Sequence, residues 1–143
     1  MAKFAQVLEW PYRKPTVGDL IGSWSAYVLQ IADDLSNFTS EVVGEFGYHD
    51  YIGALFARNF VEEAIDEVSI TKDDVEYYLI RTADEYFRAL TRNDPGKVVI
   101  ASEPDFAKYA LNEKYWWLRR IPNGGALGYE VSRVARAQAG LKY

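Results

Sequence analysis

Apolar residues recur at intervals of three and four positions through most of this chain, which is the spacing of helices that bury one face. The clearest run covers residues 17–38, and further runs cover residues 48–68 and 75–90. A half-buried strand would instead alternate at every second residue. We therefore predict three amphipathic helices, with the second and third packed against each other. The predicted stripe of the third helix consists of Val75, Tyr78, Leu79, Thr82, Tyr86 and Leu90.

Start signals support two of these helices. In a capping box, a hydroxyl residue and an acid three positions later each accept a hydrogen bond from the other's backbone amide. Thr16 and Asp19 have this form before the first helix, and Thr71 and Asp74 have it before the third. We expect the helices to begin at these residues.

Start signals and apolar spacing in the last third of the chain predict two more helices. One would begin near Ser102 and end by Pro122, and the other would run from Leu127 to Gly140. Residues 97–101 are β-branched and too short for a helix of their own, so we expect them to pair with the apolar residues 4–10. The predicted fold is mainly α: a single-domain bundle of five or six helices over residues 1–143, with a minor two-stranded β element.

Composition limits the class of protein. The chain has 143 residues, 49% of them hydrophobic and 15% aromatic, which fits one folded domain with a core rich in rings. It has no cysteine, so disulfides, thiol catalysis and zinc sites with thiolate ligands are excluded. Because it has neither a signal-peptide core nor a long apolar run, we expect a cytoplasmic protein without a membrane span.

Charge is unevenly divided along the chain. The net charge is -5, with 17 acids against 8 bases in residues 1–96 and 4 acids against 8 bases in residues 97–143. Since attraction to phosphate supplies most of the affinity for nucleic acids, an acidic chain is a poor general nucleic-acid binder.

Four acids stand where helix electrostatics disfavours them, at the C-terminal end of the second helix: Glu62, Glu63, Asp66 and Glu67. They form like-charge pairs four residues apart, each costing about 0.2–0.5 kcal/mol. Asp73, in the first turn expected for the next helix, suits the dipole there. Local conflicts of this kind concentrate at functional surfaces, so we expect these five acids to bind a basic protein partner. The alternative is a solvated face whose charge is offset by arginines elsewhere in the fold.

The string Tyr-Trp-Trp-Leu-Arg-Arg at residues 115–120 is the most distinctive short segment. Trp116 and Trp117 cannot both face the same side of a helix, so one should enter the core and the other should meet solvent, another helix or a partner. Tryptophan and arginine dominate binding hot spots, which makes both tryptophans candidate partner-binding residues. The alternative is a helix end whose arginines pair with the acidic half of the chain.

The sequence contains only fragments of the motifs for catalysis and for metal or cofactor binding. His49 is the only histidine, too few for a metal-dependent hydrolase or a di-iron bundle. The serines at residues 23 and 25 lack the nucleophile-elbow pattern, and the glycines at residues 124–128 lack the lysine and hydroxyl of a phosphate loop. We therefore expect no catalytic residue, no metal and no cofactor.

Two function classes follow from these observations. The first is a non-enzymatic protein-binding module with an acidic surface, such as a small inhibitor, immunity protein or antitoxin that neutralises a basic toxin nuclease. The alternative is a small helical enzyme or ligand-binding domain with an aromatic-lined pocket.

Overall fold

Helices make up most of the computed structural model, which describes residues 3–8, 15–36 and 46–140. The prediction of a mainly α fold with a minor β element is confirmed. The expected end of the first helix at Phe38 and residues 9 and 10 of the predicted strand lie outside the described residues.

In chain order the elements are α1 (Val17–Leu35), α2 (Tyr48–Val68), α3 (Val75–Leu90), β1 (Thr91–Asn93), α4 (Val98–Ser102), β2 (Arg120–Pro122) and α5 (Gly125–Gln138). Short 3-10 helices cover Lys3–Ala5, Pro104–Tyr109 and Trp116–Arg119.

Helix α1 begins as the sequence predicts. The Asp19 amide donates to Thr16 Oγ1 at 3.0 Å, and the Thr16 amide donates to Asp19 Oδ2 at 3.1 Å, so both bonds of the capping box are present. The buried face of α1 is centred on Trp24.

The centre of the core is aromatic. Trp24 of α1 and Phe87 of α3 lie with their ring centroids 5.0 Å apart, and Tyr51 of α2 stacks on Phe87 at 6.2 Å. All three rings are buried. Contacts at two levels show that α1 and α3 run side by side in the same direction. Trp24 of α1 contacts Asp84 and Phe87 of α3. Near the start of α1, the Lys3 amide donates to Glu76, which lies at the start of α3.

The start of α3 differs from the prediction in detail. The N-cap residue is Asp74 rather than Thr71, so Asp73 precedes the helix instead of lying in its first turn. The Thr71 amide does donate to Asp74 Oδ2 at 2.8 Å, and the Asp73 amide donates to Thr71 Oγ1 at 3.3 Å. The capping-box residues therefore close a turn ahead of the helix.

The predicted pairing of residues 4–10 with residues 97–101 is wrong. Strand β1 instead pairs antiparallel with β2, with Arg92 opposite Ile121. The β-branched residues of the second segment form α4, because Asp94 accepts hydrogen bonds from the Lys97 amide through its carbonyl and from the Val99 amide through its carboxylate. These two hydrogen bonds satisfy backbone amides at the start of α4, a short helix that packs on α5.

The prediction of a continuous helix between Ser102 and Pro122 is also wrong. This segment forms two 3-10 helices followed by β2. The Arg119 guanidinium donates to the backbone carbonyls of Ala110, Asn112 and Tyr115, which a continuous helix would have used internally. The last helix, α5, forms within two residues of its predicted bounds.

Candidate functional site

Two of the four acids near the end of α2 lie within ion-pair distance of a cation of the protein. Glu62 is buried, and its Oε2 lies 3.7 Å from Nη1 of Arg58. Asp66 lies at the surface, with its Oδ2 3.0 Å from Nζ of Lys114. Neither contact matches the alternative of arginines elsewhere in the fold, because Arg58 lies one turn earlier in α2 and Asp66 pairs with a lysine.

Glu63 and Glu67 remain exposed. None of the described cations lies within ion-pair distance of either carboxylate. Crowding around the Glu63 carboxyl raises its pKa by desolvation, and the positive charge of Lys108 opposes that shift. Asp73 is exposed in the turn that follows α2. We call Glu63, Glu67 and Asp73 the acidic patch.

Arg58 is the centre of a buried polar cluster that the sequence did not reveal. Its Nε and Nη2 atoms donate to the two carboxylate oxygens of Asp84 at 2.8 and 2.9 Å. Asp84 also accepts from Trp24 Nε1 at 2.9 Å, and the guanidinium lies over the Trp117 ring at 4.1 Å. The remaining nitrogen, Nη1, is buried without a hydrogen-bond partner. The bidentate pair joins α2 to α3 across the core.

Glu62 belongs to this cluster rather than to the surface. Burial raises the pKa of its carboxyl, and the charge of Arg58 only partly opposes that shift. The contact is weak because 3.7 Å exceeds the usual 2.7–2.9 Å of a charge-assisted hydrogen bond and because Asp84 already neutralises Arg58. Since Glu62 is buried, its placement in a partner-binding surface is corrected.

The two tryptophans divide as expected, although the helix that carries them is a single 3-10 turn. Trp117 is fully buried, and its Nε1 donates to Asn59 Oδ1 at 2.7 Å, so it cannot contact a partner directly. Trp116 is partly exposed and lies beneath the Arg88 guanidinium at 3.9 Å. Of the two candidates, only Trp116 is available at the surface.

The apolar stripe predicted for α3 faces solvent in large part. Val75, Tyr78, Leu79 and Tyr86 are all exposed, whereas the core face of this helix consists of Ile80, Ala83 and Phe87 with Glu76. The prediction that this stripe is the buried face of α3 is therefore wrong, because the helix has a second apolar face and that second face packs inside the domain.

The exposed face of α3 borders a groove with α1. The groove has a volume of about 430 Å³ and an almost wholly apolar lining. Gly18, Gly22 and Ser25 of α1 lie along it, and Leu29 at its α1 wall is 62% exposed. On the α3 side it is lined by Leu79, 44% exposed, and by Tyr86. The apolar stripe of α3 is a sequence feature that indicates this groove.

A second, more polar cleft of about 540 Å³ lies between α1 and the start of α2. Its lining includes the rings of Tyr27 and Phe46, the amide of Gln30 and the carboxylate of Asp50. Nearby, Oδ2 of Asp34 is buried without a hydrogen-bond partner. Burial raises the pKa of Asp34, the side chain of Gln30 opposes that shift, and the charges of Asp33 and Asp50 add to it.

Within the described residues, no group of three or more histidine, aspartate or glutamate side chains is arranged to hold a metal ion. No helix among those residues is both long enough and apolar enough to cross a membrane. In comparisons with known proteins, no family model, curated protein or solved structure matches the chain.

Proposed function

We propose that this protein is a non-enzymatic protein-binding module whose acidic patch binds a basic partner. The observation that carries the proposal is the exposure of Glu63 and Glu67, four residues apart on α2, with no described cation paired to them. Their repulsion and their position near the negative end of the helix dipole both oppose folding. A basic partner would relieve both effects and would be drawn to a chain of net charge -5.

A small inhibitor or immunity protein that neutralises a basic toxin nuclease would use such a surface. Covering a cationic nuclease site needs an acidic, stably folded surface and no catalytic group of its own. Trp116, stacked under Arg88, adds an aromatic side chain of the kind that dominates binding hot spots, on a different part of the surface. Cytoplasmic localisation belongs to the same proposal.

The experiment is quantitative capture of proteins from cell extract on the immobilised full chain, at salt concentrations of about 50 and 200 mM. We expect at least one basic protein to be retained, and to be lost from the Glu63→Gln/Glu67→Gln variant. The matched control is Ala137→Lys/Gln138→Lys, which changes the net charge equally at exposed positions of α5. Helix α5 contacts the opposite end of α2, where Glu130 accepts a hydrogen bond from the Tyr48 amide. Equal loss from both variants would show that only net charge matters and would refute the patch.

A second candidate function, ligand binding or catalysis, is supported by the cleft between α1 and α2. Two rings, an amide and a carboxylate converge there, as in small-molecule sites. Its carboxylate and aromatic faces suit a small organic cation. If this function holds, amines should raise the melting temperature of the wild type but not of Asp50→Asn, whose side-chain oxygen can still cap the Gly47 amide. Equal shifts in both proteins would count against the cleft.

A further inference from the structure

We propose that the groove between α1 and α3 binds the apolar face of a basic amphipathic helix supplied by the partner. The inference rests on the proposed function and adds to it a second contact surface and the conformation of the bound segment. It is carried by the solvent-facing apolar stripe of α3, the groove beside it and the charges that border that groove.

Several of the apolar side chains that line the groove remain exposed, so they do little to stabilise the domain by burial. Leu29, Leu79 and Tyr86 line it while staying 44–62% exposed, and Val75 extends the same face of α3 by one turn at 52%. Single exposed apolar residues are ordinary, but a contiguous set along two helices marks a surface that another molecule covers. Its α1 side runs from Gly18 to Leu29, about 16 Å or three helical turns.

The lining favours a helix over an extended segment. It consists mainly of side chains from two helices whose backbone groups are bonded within each helix, and the Thr82 hydroxyl already donates to the Tyr78 carbonyl at 2.8 Å. An extended segment would bring unpaired amides and carbonyls into this surface, whereas a helix satisfies its own. Gly22 presents no side chain and a Cβ atom there would meet nothing within 4 Å, which lets the axis of a third helix come close, whereas Gly18 is covered by Phe4.

The charges that border the groove favour a basic helix. On α1, Asp33 follows Leu29 by four residues, so it lies beside the lining positions. On α3, Glu85 follows the lining residue Thr82 by three positions and pairs with Arg81 at 3.0 Å. At the Phe4 end, the Lys3 ammonium is bonded to Asp74 and to the Ser69 carbonyl. Because the two ion pairs cancel in charge, Asp33 leaves a net negative charge along the described part of this border.

Gly22 provides a clean way to block the groove. It is exposed within α1, and a Cβ atom built on it meets nothing within 4 Å. Gly22→Phe should therefore place a ring in the groove from a Cβ position that crowds no neighbour. Leu79→Glu is the second blocking variant, and Leu111→Glu is the matched control because Leu111 is 94% exposed and lies outside the groove. Circular dichroism and thermal melting establish that each variant is folded.

The probe is a fluorescein-labelled synthetic helix of about 18 residues, or five turns, with leucines on one face and lysines on the other. Its binding to the full chain is followed by fluorescence anisotropy. We expect binding with 1:1 stoichiometry, weakened about tenfold or more by Gly22→Phe and Leu79→Glu and unchanged by Leu111→Glu. The corresponding leucine–glutamate helix and a scrambled leucine–lysine peptide should each bind about tenfold more weakly than the probe.

Several results would overturn the groove site. These are no binding of the leucine–lysine helix, equal binding by the folded Gly22→Phe variant, or equal binding of the glutamate or scrambled peptide. A wild-type dimer in sedimentation equilibrium that Gly22→Phe dissociates would show that the occupant is a second copy of the chain. A captured partner that needs Glu63 and Glu67 but tolerates Gly22→Phe would refute the groove alone. Groove-dependent peptide binding without charge-dependent capture would refute the proposed function alone.

Discussion

At the scale of single residues, environment separates side chains of the same type. Gly22 and Gly128 both lie in helices, but a Cβ atom at Gly22 meets open space while one at Gly128 would lie 3.0 Å from the Pro122 carbonyl oxygen. Glu62 and Glu63 are neighbours in sequence, yet one is buried beside Arg58 and the other is exposed. Sequence position shows neither difference.

Gly22→Ala should stabilise the protein by about 0.5–1 kcal/mol, because alanine restricts the unfolded chain and strengthens an exposed helix interior. Gly128→Ala is the comparison and should be destabilising, since its methyl group would crowd a backbone carbonyl that cannot move away easily. Urea denaturation followed by circular dichroism measures both. A destabilised Gly22→Ala variant would contradict the open space described for that position.

Glu62 should make stability depend on pH. Burial raises its folded pKa above the ordinary value of 4.5, so the folded state holds this proton more tightly than the unfolded state. The free energy of unfolding should therefore fall as pH rises from about 4.5 through the raised pKa. Glu62→Gln should remove that contribution, so the variant should gain stability relative to wild type at pH 7 compared with pH 4.5. A relative loss at pH 7 would mean that the Arg58 contact outweighs burial.

At the scale of elements, the spacing of apolar residues located α1, α2 and α3, although on α3 it marked the solvent-facing stripe rather than the core face. It failed where contacts distant in sequence decide the structure. Arg119 donates to backbone carbonyls in the turns between the two 3-10 helices, and the Arg120 guanidinium donates to Thr91 and Asn93, which ties β2 to β1. Neither arginine forms an ion pair with the acids near the end of α2; Arg58 and Lys114 do so, and apolar spacing cannot identify such partners.

Substitutions of the acids near the end of α2 should change the free energy of unfolding in opposite directions. Glu63→Gln/Glu67→Gln should stabilise the fold by about 0.5–1 kcal/mol, because it removes a like-charge pair and two charges that oppose the helix dipole. Asp66→Asn loses the surface pair with Lys114 and should cost about 0.2–1 kcal/mol. Thermal and urea denaturation at low salt measure both. If the double variant is destabilised instead, these acids have intramolecular partners and the argument for an external one fails.

At the scale of the whole molecule, the Arg58 cluster joins helices that separate segments of the chain contribute. Arg58 and Asp84 lie 26 residues apart and are largely buried, and Trp24 and Trp117 surround them from two further segments. A buried pair adds little over a well-packed apolar pair, but removing one partner leaves the other charge uncompensated.

Arg58→Met should therefore cost about 3–5 kcal/mol, because it leaves Asp84 and Glu62 without their cation. Arg81→Met removes an arginine from a solvent-exposed ion pair with Glu85 and should change stability very little. Comparing the two by urea denaturation isolates the effect of burial. Similar costs for both substitutions would show that the cluster does not organise the core.

The most direct test of the central claim, that the acidic patch binds a basic partner, is the dissociation constant of a captured partner measured by isothermal titration calorimetry. We predict that Glu63→Gln/Glu67→Gln raises this constant about tenfold at low salt, while Ala137→Lys/Gln138→Lys leaves it within about twofold. If both variants weaken binding equally, or if neither does, Glu63 and Glu67 are not the binding surface.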